Sequence, residues 1–197
     1  MPKWNVYISS TFIDLKDYRA ELIQIFENQL QNSFRLTEVM ESMYDDGTST
    51  SFVEDCKSAV LASHIYIIIL GNRTGSFPPG ESRTYTEIEL DTALANDKRI
   101  YCLRLAEFDE TQIDNKTKHD EILKKFEGKP IHIFGDLKEL QNEIFKCLFP
   151  LASESPINTK SPYRGLASFQ VEDGDYFFGR GTEVEACLKK IVTGTNF

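Results

Sequence analysis

An α/β fold around a five-stranded parallel sheet is predicted for this chain by three observations. Apolar strand-like runs alternate with helix-period segments from Trp4 to Phe149. The run Ile65–Leu70, Ile-Tyr-Ile-Ile-Ile-Leu, has no polar alternation, as in a central strand covered by helices on both faces. Five such strand–helix units within about 150 residues suggest a flavodoxin-like order, 2-1-3-4-5, with the chain reversing direction across the sheet between strands one and three.

The first strand is expected over Trp4 to Ser9. Helix one begins near Leu15, because Leu15, Tyr18, Leu22, Phe26 and Leu30 recur three or four apart and form one apolar stripe, with Asp14 as its N-cap. Strand two is expected over Leu36 to Met40, and a polar loop, Glu41 to Thr50, leads into helix two, Ser51 to Ala62. After strand three comes a Gly- and Pro-rich loop, Gly71 to Ser82, then helix three from about Thr84 to Ala95 and strand four over Ile100 to Leu105. Helix four (Lys118 to Phe126), strand five (Ile131 to Phe134) and helix five (Leu137 to Phe149) complete a domain of residues 1–150. Residues 151–161 are polar and punctuated by Pro156, which reads as a linker. The segment 162–197 is rich in aromatics and too short to bury a core, so it is expected to be the opening of a further domain.

Composition narrows the function classes. The 197 residues carry 22 Lys and Arg against 31 Asp and Glu, a net charge of −9. An acidic balance disfavours direct nucleic-acid binding, which needs clustered cations to neutralise phosphates. No run approaches the roughly 20 apolar residues of a membrane span, and the first residues lack the apolar core of a signal peptide, so a cytoplasmic protein is expected. Cys56, Cys102, Cys147 and Cys187 are scattered without a C-x-x-C pair, which points to neither disulfides nor a metal cage. His64, His119 and His132 sit in no metal-binding or triad pattern.

The segment Arg83-Thr84-Tyr85-Thr86-Glu87-Ile88-Glu89-Leu90-Asp91-Thr92-Ala93-Leu94 sets two carboxylates in the first turns of helix three. In a parallel sheet the ligand crevice lies at the carboxyl ends of the strands, where this helix starts. At 3.6 residues per turn, positions 87 and 89 point about 200° apart. They cannot both enter one crevice, and periodicity alone does not choose between them.

Several segments together resemble a TIR-like domain family of uncharacterised function found N-terminal to STAND and NACHT NTPases. They are Val6-Tyr7-Ile8-Ser9-Ser10-Thr11-Phe12-Ile13-Asp14-Leu15 with Arg19, Met40-Glu41, Gly71-Asn72-Arg73-Thr74-Gly75 and Tyr85-Thr86-Glu87-Ile88-Glu89. The tail, with Pro162-Tyr163-Arg164-Gly165-Leu166 and Phe177-Phe178-Gly179-Arg180, resembles the lead-in to a STAND NTPase, although this chain holds no P-loop motif. In the family's loop after strand three, Asn72 and Thr74 stand here where an acid and an aromatic are usual, which removes a stacking surface for a base.

The resemblance implies a TIR-like effector domain for signalling or anti-phage defence. Such a domain would hydrolyse NAD or a related nucleotide at its N-glycosidic bond once an attached NTPase oligomerises. It favours Glu89 as the catalytic residue, since Glu89-Leu90-Asp91-Thr92-Ala93 matches the Glu-x-x-x-Ala pattern of NAD-cleaving TIR domains and nucleoside deoxyribosyltransferases. One carboxylate is chemically sufficient, because nicotinamide leaves a cationic pyridinium as a neutral base. Only the oxocarbenium-like sugar then needs stabilisation. The expected binding residues are Ser9, Ser10, Thr11, Phe12, Glu41, Gly71, Arg73 and Thr86, the serines, Thr11 and Arg73 contacting phosphate or ribose oxygens. No metal and no resident cofactor are expected, NAD entering as substrate. The expected partners are further copies of the chain and the downstream NTPase domain. A non-catalytic self-association module and a base-exchanging deoxyribosyltransferase are the competing expectations.

Overall fold

The computed structural model describes residues 3–11, 13–37, 50–106, 113, 115–154 and 156. The chain divides into two units, Met1–Ile157 and Asn158–Phe197, and the second lies outside the described residues, as does everything expected of the tail and of Cys187.

Five strands alternate with five helices: β1 Trp4–Ser10, α1 Lys16–Asn28, β2 Phe34–Leu36, α2 Thr50–Ala62, β3 Ile65–Leu70, α3 Tyr85–Ala95, β4 Arg99–Leu105, α4 Lys116–Lys124, β5 Ile131–Phe134 and α5 Leu137–Ala152. The strands pair in the order β2-β1-β3-β4-β5, all parallel. This is the flavodoxin-like arrangement the sequence predicts, with β1 and β3 adjacent at the reversal point.

Each face of the sheet is sealed by its own set of helices. Val6, Ile8, Ile65, Ile67, Ile69, Leu103 and Phe134 face Leu22, Ile25 and Phe26 of α1 and Leu140, Ile144 and Leu148 of α5. On the other side Tyr7, Tyr66, Ile68, Leu70 and Cys102 meet Phe52, Cys56 and Val60 of α2, Leu90 and Ala93 of α3, and Ile122 and Phe126 beside α4. All six residues of β3 are buried, which explains its unbroken apolar run. Such a strand must bury both sides of its pleat.

Four boundaries differ from expectation for identifiable reasons. β2 begins at Phe34, which is buried and pairs with Trp4; the expected residues 38–40 lie outside the described ones. α1 starts at Lys16 with Leu15 as N-cap and no side-chain cap, because Asp14 is engaged by loops instead. Asn115 accepts a hydrogen bond from the Lys118 amide, so α4 starts two residues earlier than its apolar pattern suggests. α5 runs past Pro150 to Ala152. A proline tolerates helical φ and forfeits one hydrogen bond, and the Trp4 indole N–H secures the last turn by donating to the Leu151 carbonyl at 3.0 Å.

Candidate functional site

β1 has period two, so Tyr7 and Ser9 project to the α2/α3 face while Ile8 and Ser10 project to the α1/α5 face. Glu89 comes down onto the same spot from the second turn of α3. Its carboxylate accepts from the Tyr7 hydroxyl at 2.8 Å and from the Ser9 hydroxyl at 2.5 Å. The Cys56 thiol of α2 joins the cluster, near enough for its titration to respond to both Glu89 and Tyr7. Tyr66 stacks flat on Tyr7, centroids 5.9 Å apart and planes 8° from parallel. Its hydroxyl is buried without a hydrogen-bond partner.

Glu89 is only 2% exposed. Burial therefore raises its pKa above the ordinary value, while bonds from Ser9 and Tyr7, the charge of Arg19 and the Cys56 thiol pull it back down. The carboxylate charge in turn adds to burial in raising the Tyr7 and Tyr66 hydroxyls and in pushing the Cys56 thiol up to about 12. Such a group is strongly tuned by its surroundings, as buried acids at functional sites commonly are. Cys102 and Cys147 are also free and buried.

Glu87 has a different occupation. Thr84 and Glu87 form a reciprocal capping box at the start of α3. The Thr84 amide donates to Glu87 at 2.8 Å and the Glu87 amide to the Thr84 hydroxyl at 3.2 Å. The other Glu87 oxygen takes Lys118 Nζ at 3.3 Å. The two carboxylates leave α3 on different sides, as the helical angle requires, and both are buried. Neither carboxylate faces solvent.

The remaining predicted residues fall into three groups. Ser9 touches Glu89 directly. Ser10 lies across the strand and accepts from Arg19 Nη1 at 3.3 Å; the same guanidinium nitrogen donates to the Ile8 carbonyl at 2.9 Å. Thr11, Gly71, Arg73 and Thr86 belong to a seam at the carboxyl ends of β1 and β3. Thr11 hydrogen-bonds through its hydroxyl to one oxygen of Asp14. The other Asp14 oxygen accepts the Arg73 amide at 3.1 Å, and Gly71 passes so close that a Cβ there would lie 2.5 Å from it. Gly75 has φ +96°, and a Cβ added to it would sit 3.1 Å from the Thr86 hydroxyl and 3.6 Å from Thr11. Asp14 thus ties the loop after β1 to the loop after β3. The Arg73 side chain is exposed. Phe12 and Glu41 lie outside the described residues.

With this geometry in hand the family can be stated. The model of the family described as "Domain of unknown function (DUF4062)" matches residues 5–148. The chain belongs to that family. The match covers the β1–α5 domain. No curated protein matches the chain. Among solved structures, it is similar to the CMP N-glycosidase BcmB of Clostridium botulinum, at 16% identity and TM-score 0.45 over 73% of this chain and 99% of that one. It is also similar to the TIR domains of the activated Roq1 resistosome that recognises the pathogen effector XopQ, at 14% identity and TM-score 0.39 over 96% and 99%. Likeness at this level transfers neither a reaction nor an assembly to this DUF4062 chain.

Sequence reasoning missed Tyr7, Tyr66 and Cys56 as neighbours of Glu89. Their signal was present only in part. Tyr7 is two residues before Ser9, hence on its face of β1, but a strand buried on both sides shows no polar–apolar rhythm to announce which face matters. Tyr66 becomes a neighbour through the β1–β3 register, Tyr7 opposite Tyr66, which no local pattern reveals. The two described hollows, one lined by Phe26, Phe34 and Leu36 and the other by Asn5, Arg35 and Asp55, both border β2 and do not include Glu89.

Proposed function

We propose that the domain cleaves the N-glycosidic bond of a nucleotide, with NAD the leading substrate, and that Glu89 is its catalytic carboxylate. The observation that carries this reading is the burial of one acid at the β1–β3 reversal point, gripped by a tyrosine and a serine whose hydroxyls aim at its two oxygens. A core has little use for a costly buried acid that a neutral residue of similar shape could replace. In the proposed step the base departs with the bonding electron pair, nicotinamide becoming neutral. The ionised Glu89 stabilises the positive ribosyl centre, and water adds to the anomeric carbon and loses a proton. A fixed anion in a dry site is worth far more to that transition state than one in water.

Glu89 is covered in the described state, so the reaction requires the packing around it to open. Assembly of several copies, driven by an NTPase following the tail motif, would supply that opening. This links the fold to the signalling or defence role its sequence resembles. Chains tethered into oligomers and incubated with NAD are expected to release nicotinamide faster per chain than free chains. Prolonged incubation of tethered chains without any free base would end the reading.

One observation favours a second reading. Glu89 is fully satisfied by internal donors and closed off, which also suits a self-association module whose buried acid only fixes how α3 sits on β1. Titration with NAD and ADP-ribose separates the two. A ligand at 100 times its dissociation constant stabilises the chain by about 2.7 kcal/mol, whereas the interaction module gains nothing.

A further inference from the structure

Buried polar atoms without partners are uncommon, and each calls for an explanation. Among the described residues two of them belong to adjacent strand ends near the carboxyl edge of the sheet, Arg104 Nε and Asn72 Oδ1. Arg104 is the sixth residue of β4 and stands opposite Leu70, the last residue of β3; Asn72 is two residues beyond Leu70. Arg104 alternates with Leu103, which packs on the α1/α5 face, and shares the parity of Cys102, which packs on the α2/α3 face. By this alternation Arg104 belongs to the side of the sheet that holds Glu89. An unmet donor on a permanent cation and an unmet acceptor thus belong to neighbouring strand ends.

From this placement we propose that Arg104 and Asn72 form a phosphate subsite of the crevice, which takes a phosphate of a nucleotide whose ribose lies against Glu89. The inference rests on the glycosidic reading above for its ribose end alone. Strand spacing of about 4.8 Å and a rise of about 3.3 Å per residue separate Ser9, which opposes Ile68 and through it Cys102, from Arg104. Two strands across and two residues along, this is about 12 Å between backbones. A backbone separation of this size is of the order of a phosphorylated sugar. Arg104 provides a planar fork matched to phosphate oxygens, and Asn72 Oδ1 accepts from a sugar hydroxyl. In a chain of net charge −9, recognition of an anion must come from a local cation of this kind. Arg73, the sequence-stretch neighbour of Asn72, does not share this position, for its side chain is exposed.

The test is isothermal titration of chains tethered into oligomers, the state in which the site opens, with ADP-ribose, adenosine and inorganic phosphate. Wild type is expected to bind ADP-ribose, with adenosine at least about tenfold weaker. Arg104→Gln should weaken ADP-ribose by about tenfold to a hundredfold, the range for losing a charged hydrogen bond, and leave adenosine unchanged. Arg104→Lys should recover part of the loss. If Arg104→Gln fails to fold, Asn72→Asp serves in its place: its added negative charge should weaken ADP-ribose and spare adenosine. Equal ADP-ribose affinity in wild type and variant, or no binding to wild type, overturns the subsite. So does inorganic phosphate binding as tightly as ADP-ribose, which marks a bare anion site. Arg104-dependent binding in a chain that never releases nicotinamide would sink the hydrolase and leave the subsite standing; nicotinamide release indifferent to Arg104 would do the reverse.

Discussion

Tyr7 and Ser9 hold the Glu89 carboxylate at 2.8 and 2.5 Å against the cost of burying its charge, and burial prevails, raising its pKa. The folded chain therefore binds this proton more tightly than the unfolded chain. Its contribution to stability is whole below the ordinary value of 4.5 and is lost as pH rises through the higher folded value. Glutamine does not titrate. The stability of wild type relative to Glu89→Gln, measured by urea unfolding, should accordingly fall as pH rises above 4.5; a flat difference would mean that the acid titrates as it does in water. Tyr7→Phe removes one donor from the ionised form and should push that window to higher pH, at a cost of about 1–3 kcal/mol near neutrality. Glu89 was singled out only by its resemblance to the Glu-x-x-x-Ala pattern of NAD-cleaving TIR domains, because helical geometry left Glu87 and Glu89 equivalent. What separates them is tertiary: Glu87 closes a capping box and meets Lys118, while Glu89 meets β1.

At the scale of elements, α3 and the loop before it set the position of the acid. The capping box fixes where the helix begins, and that start determines which residue of the second turn faces Tyr7. Thr84→Ala is expected to cost about 1 kcal/mol, read from the unfolding midpoint. Gly75→Ala should cost about 1–3 kcal/mol, since it places a Cβ in a left-handed backbone and against the Thr86 hydroxyl. A Gly75→Ala chain as stable as wild type would show that the seam is loose. Helix and strand positions were readable from periodicity to within a few residues because each element buries a stripe. The ends were less so. Asp14 looks like a helix cap by residue type, yet its carboxylate is spent on Thr11 and Arg73. A choice between local and distant partners is invisible along the chain.

For the whole molecule, the order β2-β1-β3-β4-β5 was legible because alternating strand and helix segments and an unbroken apolar β3 leave few parallel topologies open. Which residues converge on Glu89 was not, since Tyr7, Cys56, Tyr66 and Glu89 come from four separate elements and meet only in the tertiary fold. The same architecture places Arg104 on the Glu89 face by a parity that cannot be assigned until β4 is paired. Whether this buried acid performs chemistry is measured most directly by chromatography of NAD after incubation with wild-type and Glu89→Gln chains, each tethered into oligomers. Free nicotinamide from wild type, with at least about a hundredfold less from the variant, a loss of about 2.7 kcal/mol of transition-state stabilisation, is the predicted result. Equal release from both, or release from neither, would contradict it.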